Sequence, residues 1–169
     1  ANLRAAEEAA RKREEAAKKQ QGSNGSNGGN SGGTGNVSPG GFMWPSPVSR
    51  TITSSFGPRK SPTQGASTNH QGIDLGAPAG TNVLASHDGT VTVASYQWAA
   101  GNYIMISHSG GISTVYMHNS QLLVSVGQQV KKGDVIAKVG SSGVATGPHI
   151  HFGVRVNGQY VNPLNYVSP

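Results

Sequence analysis

Cysteine is absent from this chain, which excludes disulfides and thiolate metal ligands together. Any metal must therefore be held by His, Asp or Glu. The absence does not fix the compartment, although it suits a secreted bacterial protein that relies on neither disulfides nor free thiols. Charge is sparse: Asp, Glu, Lys and Arg make up 12% of the residues, about half the share usual in globular proteins. Aromatics amount to 6%, and no apolar run approaches the roughly 20 residues that a membrane span needs. Acidic side chains nearly vanish after residue 42, leaving only Asp74, Asp88 and Asp134. The chain begins Ala1-Asn2-Leu3-Arg4. With neither an initiator Met nor a signal peptide, it reads as a mature product or an excised fragment.

Glycine, by contrast, is abundant, with 25 in 169 residues, which points to many turns between short strands. The net charge of +6 suits an anionic environment such as nucleic acid, anionic lipid or a cell-wall polymer. The basic residues Arg50, Arg59, Lys131, Lys132, Lys138 and Arg155 are scattered, without the aromatic-interleaved stripe of single-strand binders. No nucleic acid partner is expected.

Three segments follow from composition. Residues 1–21 are dominated by Ala, Glu, Lys and Arg, strong helix formers, with Glu7 to Arg11 and Glu14 to Lys18 as favourable i,i+4 pairs. This predicts the end of a longer helix or coiled coil that pairs with a helix outside this sequence. Residues 22–41 turn abruptly to Gly, Ser and Asn, a composition that cannot bury enough apolar surface to offset its ordering entropy. A flexible tether with a reach of roughly 25 Å is expected. The folded domain should then span residues 42–169.

Within that domain the pattern is strand and turn. Gly89-Thr90-Val91-Thr92-Val93-Ala94-Ser95 alternates strictly, and Tyr103 to His108 and Ile112 to His118 flank Gly110-Gly111 as a hairpin candidate. The run His149 to Val156 is followed by Asn157-Gly158, another hairpin signal. No amphipathic helix of useful length appears after residue 42. A mainly β domain is predicted, an antiparallel sandwich or open barrel.

The polar residues converge on one chemistry. His149 and His151 are one residue apart in a strand pattern and so project to one face. Asp88 and Asp134 sit beside glycines in predicted turns, where Asp serves local hydrogen bonding. Asp74 differs, because Ile73 and Leu75 flank it and a carboxylate beside buried neighbours needs a cation or several donors. His70 lies four residues before it. His70, Asp74 and one histidine of the His149/His151 pair make a two-histidine, one-carboxylate set, which on zinc leaves a fourth position for water. Such a site lowers the pKa of the water and polarises a carbonyl. Proton chemistry then has the spare histidine and His118, at the end of Tyr116-Met117-His118.

These stretches together resemble one family. Phe42-Met43-Trp44-Pro45, Phe56-Gly57-Pro58-Arg59, His70-Gln71-Gly72-Ile73-Asp74-Leu75, Gly101-Asn102-Tyr103, Tyr116-Met117-His118, Thr146-Gly147-Pro148-His149-Ile150-His151-Phe152 and Asn162-Pro163-Leu164 look like the motifs of the LytM/lysostaphin-type zinc endopeptidases of peptidoglycan, peptidase family M23. The resemblance implies one zinc ion on His70, Asp74 and His151, with His118 and His149 as catalytic histidines. It implies hydrolysis of an amide in cell-wall stem peptides or cross-bridges, outside the cell or in the periplasm, with Asn102 and Tyr103 beside the substrate groove. His87 and His108 match no functional position and are expected at the surface or in loops. Asn119 stands where relatives commonly have Leu, and Gly153 where many have Glu.

Two rival readings compete with an enzyme. A LytM-type domain behind a coiled coil can act as a non-catalytic activator of other cell-wall hydrolases, but the complete ligand and histidine set argues against that. Val126 to Ile136 resembles a biotinyl or lipoyl hairpin, yet Lys138 falls inside a predicted strand rather than on a turn. The asparagines Asn24, Asn27, Asn30 and Asn36 raise a further possibility, a latent form with the tether in the metal's open position.

Overall fold

A computed structural model describes residues 41–59, 63–66 and 68–169. The helix expected over residues 1–21, its pairing, and the tether with its asparagines, all but its last residue Gly41, lie outside the described residues.

Among the described residues, short alternating runs broken by glycine build twelve strands: β1 (Ile52–Ser54), β2 (Gly57–Pro58), β3 (Asn69–His70), β4 (Ile73–Gly76), β5 (Asn82–Leu84), β6 (Gly89–Gln97), β7 (Gly101–Ser107), β8 (Ile112–Leu122), β9 (Gln129–Val130), β10 (Val135–Val139), β11 (His149–Val156) and β12 (Gln159–Val161). Ten of them form one sheet whose central order is β1-β4-β11-β8-β7-β6-β9; β10 joins β8 to β5, and β12 extends β11. β2 and β3 make a separate small ladder. Every pairing is antiparallel. Helix among the described residues is confined to two single 3-10 turns, and none is long and apolar enough to cross a membrane. The Asn157-Gly158 signal is realised as the β11–β12 hairpin, with both residues at positive φ (50° and 83°), as a two-residue primed turn requires.

Alternation sorts the central strands into two faces. Ile73, Leu75, Ile104, Ile106, Tyr116, Ile150, Phe152 and Val154 are fully buried on one of them. β5 and β10 bring Val83, Ile136 and Val139 into the same core, and Phe42, Trp44 and Val167 close it from the two ends of the domain. The opposite face carries Asp74 on β4 and His149 and His151 on β11, with Met117 of β8 opposite His151.

Two expectations are corrected. His118 does not end its strand: β8 runs on to Leu122, because Asn119 pairs with β7 on one side and β10 on the other, and β10 carries the pairing on to Leu122. His108 is not a surface residue, being only 3% exposed. Its ring sits edge-on to Phe42 at 5.3 Å and near His87 at 5.8 Å. His108 Nδ1–H donates to the Asp88 carbonyl (2.7 Å), so Nε2 accepts from the Thr114 hydroxyl (2.7 Å). The Tyr116 hydroxyl then donates to Thr114 (2.8 Å) and accepts from Ser86 N–H (2.9 Å). Asp134 holds its own turn as expected, accepting from Lys131 N–H, whereas the Asp88 carboxylate reaches across to accept from Lys132 N–H. Lys138 lies within β10, its ammonium on the Asn82 amide oxygen, so it is no turn-borne carrier lysine.

Phe152→Ala should cost about 3–5 kcal/mol in chemical denaturation, because Phe152 is fully buried against Tyr116. Val48→Ala, at a site 57% exposed, should stay within about 0.5 kcal/mol of the parent. Burial lowers the His108 pKa from 6.5 to about 4, so the folded state favours the neutral ring. This stability is complete above pH 6.5 and is lost as pH falls through about 4. The difference in unfolding free energy between the parent and His108→Gln, followed over that range, should therefore shrink on acidification, by on the order of 3 kcal/mol at its limit.

Candidate metal centre

β4 and β11 pair so that Asp74 lies directly opposite His151, Leu75 opposite Ile150 and Ile73 opposite Phe152. Directly opposed residues share a face, so burying the isoleucines, Leu75 and Phe152 in the core forces Asp74 and His151 together on the other side. His70 arrives from β3, four residues before Asp74 and 2% exposed. The three donor atoms His70 Nε2, Asp74 Oδ1 and His151 Nδ1 form a triangle with each edge 3.1 Å. A tetrahedral ion with bonds of about 2.0–2.1 Å has donor-to-donor edges of about 3.3–3.4 Å. The triangle thus fits one face of such an ion with a few tenths of an ångström of relaxation.

The hydrogen inventory makes the same demand. His70 Nδ1 lies 2.9 Å from the Ser55 carbonyl, which can only accept, so the neutral ring carries its proton on Nδ1 and presents a lone pair at Nε2. That lone pair meets a carboxylate oxygen. In neutral rings the only hydrogen that can sit among the three atoms is one on His151 Nδ1, and the Nε2 of that ring is buried with no hydrogen-bond partner. Three acceptors closing on one point are what a cation satisfies, with the outer nitrogen of His70 fixed by a carbonyl as metal-bound histidines commonly are. Among the described residues, His70, Asp74 and His151 are the group that could hold a metal. Gly72 makes room for them, since a Cβ there would lie 2.5 Å from Phe152 O and 2.8 Å from His151 Nε2.

Protonation follows the surroundings. Burial works to raise the Asp74 pKa, but the hydrogen bond from His151 and the neighbouring imidazoles outweigh it, holding the carboxyl far below its usual range. His151 is pushed down mainly by burial, against the pull of Asp74. An ionised carboxylate beside a neutral imidazole is the state that binds metal. The second oxygen of Asp74 is held by Arg59 Nη1 at 3.3 Å.

Two further imidazoles flank the triangle. His149 Nδ1 donates to the Gly147 carbonyl (2.8 Å), leaving its Nε2 lone pair 3.6 Å from Asp74 Oδ1. His118 Nδ1 donates to the Ser142 carbonyl (2.7 Å), which likewise bares Nε2. The rings of His118 and His149 lie 4.8 Å apart. His118 is brought there by an extra residue in β8: between its partners Tyr116↔Ile104 and Asn119↔Asn102 the register shifts. At that break His118 takes φ 65°, a left-handed conformation found for non-glycine residues mainly under constraint. Burial lowers its pKa to about 4, with the neighbouring His149 and His151 adding to the effect.

The structure therefore brings His70, Asp74, His118, His149 and His151 together. Tyr103 is on the non-core face of β7, the face that carries the triangle on β4 and β11. Asn102 is committed elsewhere, its amide donating to the Asn119 carbonyl (3.0 Å) while Asn119 returns the bond to the Asn102 carbonyl (3.0 Å). His87 and His108 belong to the Phe42 cluster instead. Sequence reasoning missed Arg59, Asn119 and Ser142 as supports. Arg59 sits in a motif quoted for the family resemblance, but no spacing rule ties an arginine to a carboxylate fifteen residues on. Ser142 had no signal at all.

Comparison with known proteins agrees. Residues 68–163 match the model of peptidase family M23. An uncharacterized metalloprotease of Haemophilus influenzae is 45% identical over 120 residues, covering 70% of this chain and 25% of that protein. A peptidoglycan DD-endopeptidase of Vibrio cholerae is 42% identical over 121 residues, covering 71% of this chain and 28% of that protein. The chain thus spans about a quarter of the length of these curated relatives. Among solved structures, a zinc-containing peptidase from Vibrio cholerae superimposes with a TM-score of 0.67 at 34% identity, covering 80% of this chain and 47% of that one. With a family match over more than half its length and the donor set in place, the chain belongs to peptidase family M23.

Proposed function

We propose that this domain is a zinc metalloendopeptidase that hydrolyses an amide bond in the stem peptides or cross-bridges of peptidoglycan, working at the bacterial cell wall or in the periplasm. The observation that carries the reading is the division of labour among the imidazoles. Two nitrogens meet the Asp74 oxygen at 3.1 Å, while His118 and His149 keep bare lone pairs beside them, each fixed by a carbonyl on its other nitrogen. That Vibrio cholerae relatives are peptidoglycan DD-endopeptidases supports the substrate class.

Zinc held by His70, Asp74 and His151 would supply Lewis acidity towards a carbonyl and a water of lowered pKa. The protein does the rest. Asp74 contributes negative charge, and Arg59 orients it by holding the outer oxygen. His118 and His149 both offer Nε2 as a proton acceptor to an attacking water, and burial keeps His118 neutral down to about pH 4. Whichever ring takes the proton becomes an imidazolium that can donate to the oxyanion or to the leaving amine. Tyr103 lines the same face as a substrate contact, and Asn102 contributes through its backbone surroundings rather than its engaged amide. The activator reading requires a lost metal set, and here His70, Asp74 and His151 converge.

Zinc-loaded protein should release new amino termini from purified peptidoglycan, and a chelator should stop the release. His118→Ala and His149→Ala should each bind one zinc by calorimetry and lose roughly 10²–10⁴ in rate. His70→Ala, Asp74→Ala and His151→Ala should lose both zinc and activity. Zinc loss in His149→Ala but not in His151→Ala would reverse the assignment. Arg59→Ala should weaken zinc affinity or rate by about 10–100-fold without abolishing either.

A further inference from the structure

Both flanking imidazoles are keyed to a single loop. Residues 140–149 run from the end of β10 into β11, and the Gly140–His149 bridge closes the loop on itself. Within it, the Ser142 carbonyl accepts from His118 and the Gly147 carbonyl accepts from His149. The position of this loop therefore fixes which nitrogen of each ring carries the proton and where the other one points.

The loop is held by the Val144 N–H bond to the Ala99 carbonyl (2.9 Å) and, beside His118, by the Ser142 side chain. Its hydroxyl donates to the Asn119 carbonyl (2.6 Å) and accepts from Asn102 N–H (3.0 Å). Asn119 in turn fills the break in β8, its amide donating to the carbonyls of Tyr116 and Asn102 (both 3.0 Å). His118 N–H is tied to the Ala100 carbonyl (2.8 Å). A closed circuit results, running from the Ser142 hydroxyl through Asn119 and the β8 backbone to the His118 ring and back to the Ser142 carbonyl. Its fit is tight: a Cβ on Gly101 would lie 2.3 Å from Ser142 Oγ, and one on Gly143 would lie 2.3 Å from Gly101 N. Asn119 is 1% exposed and its Oδ1 is buried without a partner. An apolar side chain would avoid that desolvation cost, so the amide is retained at a penalty that its two donated bonds explain.

We infer that Ser142 is the positioning residue for His118, acting through the Asn119–Asn102 pair to hold the ring with its proton on Nδ1 and Nε2 towards the metal ligands. The catalytic consequence rests on the proposed role of His118; the positioning itself does not. The test compares the parent, Ser142→Ala and Ser142→Thr, each with and without zinc, by long-range ¹H–¹⁵N spectra of the imidazoles and by peptidoglycan hydrolysis. The parent should show His118 as the Nδ1–H tautomer. Ser142→Ala should bind zinc as the parent does, with the His118 nitrogens averaged between tautomers, the His70 and His151 signals unchanged, and kcat down about 10–100-fold at a KM within about threefold of the parent. Ser142→Thr, which keeps the hydroxyl, should restore the parent spectrum. A parent-like His118 spectrum in Ser142→Ala would overturn the inference, as would loss of zinc together with disturbance of all four imidazoles, which marks a general structural role. If the zinc-loaded parent hydrolyses nothing, the proposed function fails and the spectra alone decide the positioning claim.

Discussion

The pairing of β4 with β11 is the constraint on which the site depends. In that register Asp74 faces His151, and the hydrophobic effect holds it there, because sliding either strand by one residue would turn Ile73, Leu75, Ile150 and Phe152 out of the core. All four are fully buried. Holding these apolar side chains inside thus also keeps a carboxylate and an imidazole at 3.1 Å, a contact with no comparable stability of its own. The metal centre is the polar reverse of the core.

Rigid positioning extends from there in two steps. Backbone carbonyls, which can only accept, fix the proton on the outer nitrogen of His70, His118 and His149 and aim the remaining lone pairs inwards. The carbonyls are placed in turn by elements chosen for close approach: the turn before β2 for Ser55, and the loop before β11 for Ser142 and Gly147. His118 alone needs an irregular backbone, a left-handed residue inside an eleven-residue strand. Such conformations persist where the surroundings over-determine them, and the Asn119–Asn102–Ser142 hydrogen bonds supply that determination.

Much of this was legible from residue types alone. The scarcity of carboxylates singled out Asp74, the apolar flanks Ile73 and Leu75 gave its face, and the period of two put His149 and His151 on one side of a strand. The Asn157-Gly158 hairpin followed from turn chemistry. The rest rests on long-range geometry. That His118 lies inside β8 depends on a bulge set by β7 and β10 together, for which the local sequence Tyr116-Met117-His118 carries no mark. His108 does lie in the loop after β7, but its burial comes from Phe42, which is remote in sequence. Ser142, in a Gly- and Ser-rich loop, is indistinguishable by composition from a residue that only turns the chain. The helical segment and tether read from residues 1–41 concern mainly residues outside those described.

The central claim is that three atoms, His70 Nε2, Asp74 Oδ1 and His151 Nδ1, bind one metal while His118 and His149 stand free of it. Anomalous X-ray scattering at the zinc edge from crystals of the zinc-loaded protein tests it most directly. The account predicts one peak, within bonding distance of those three atoms and of neither flanking imidazole. A peak bonded to His149 or His118, or none between β4 and β11, would contradict it.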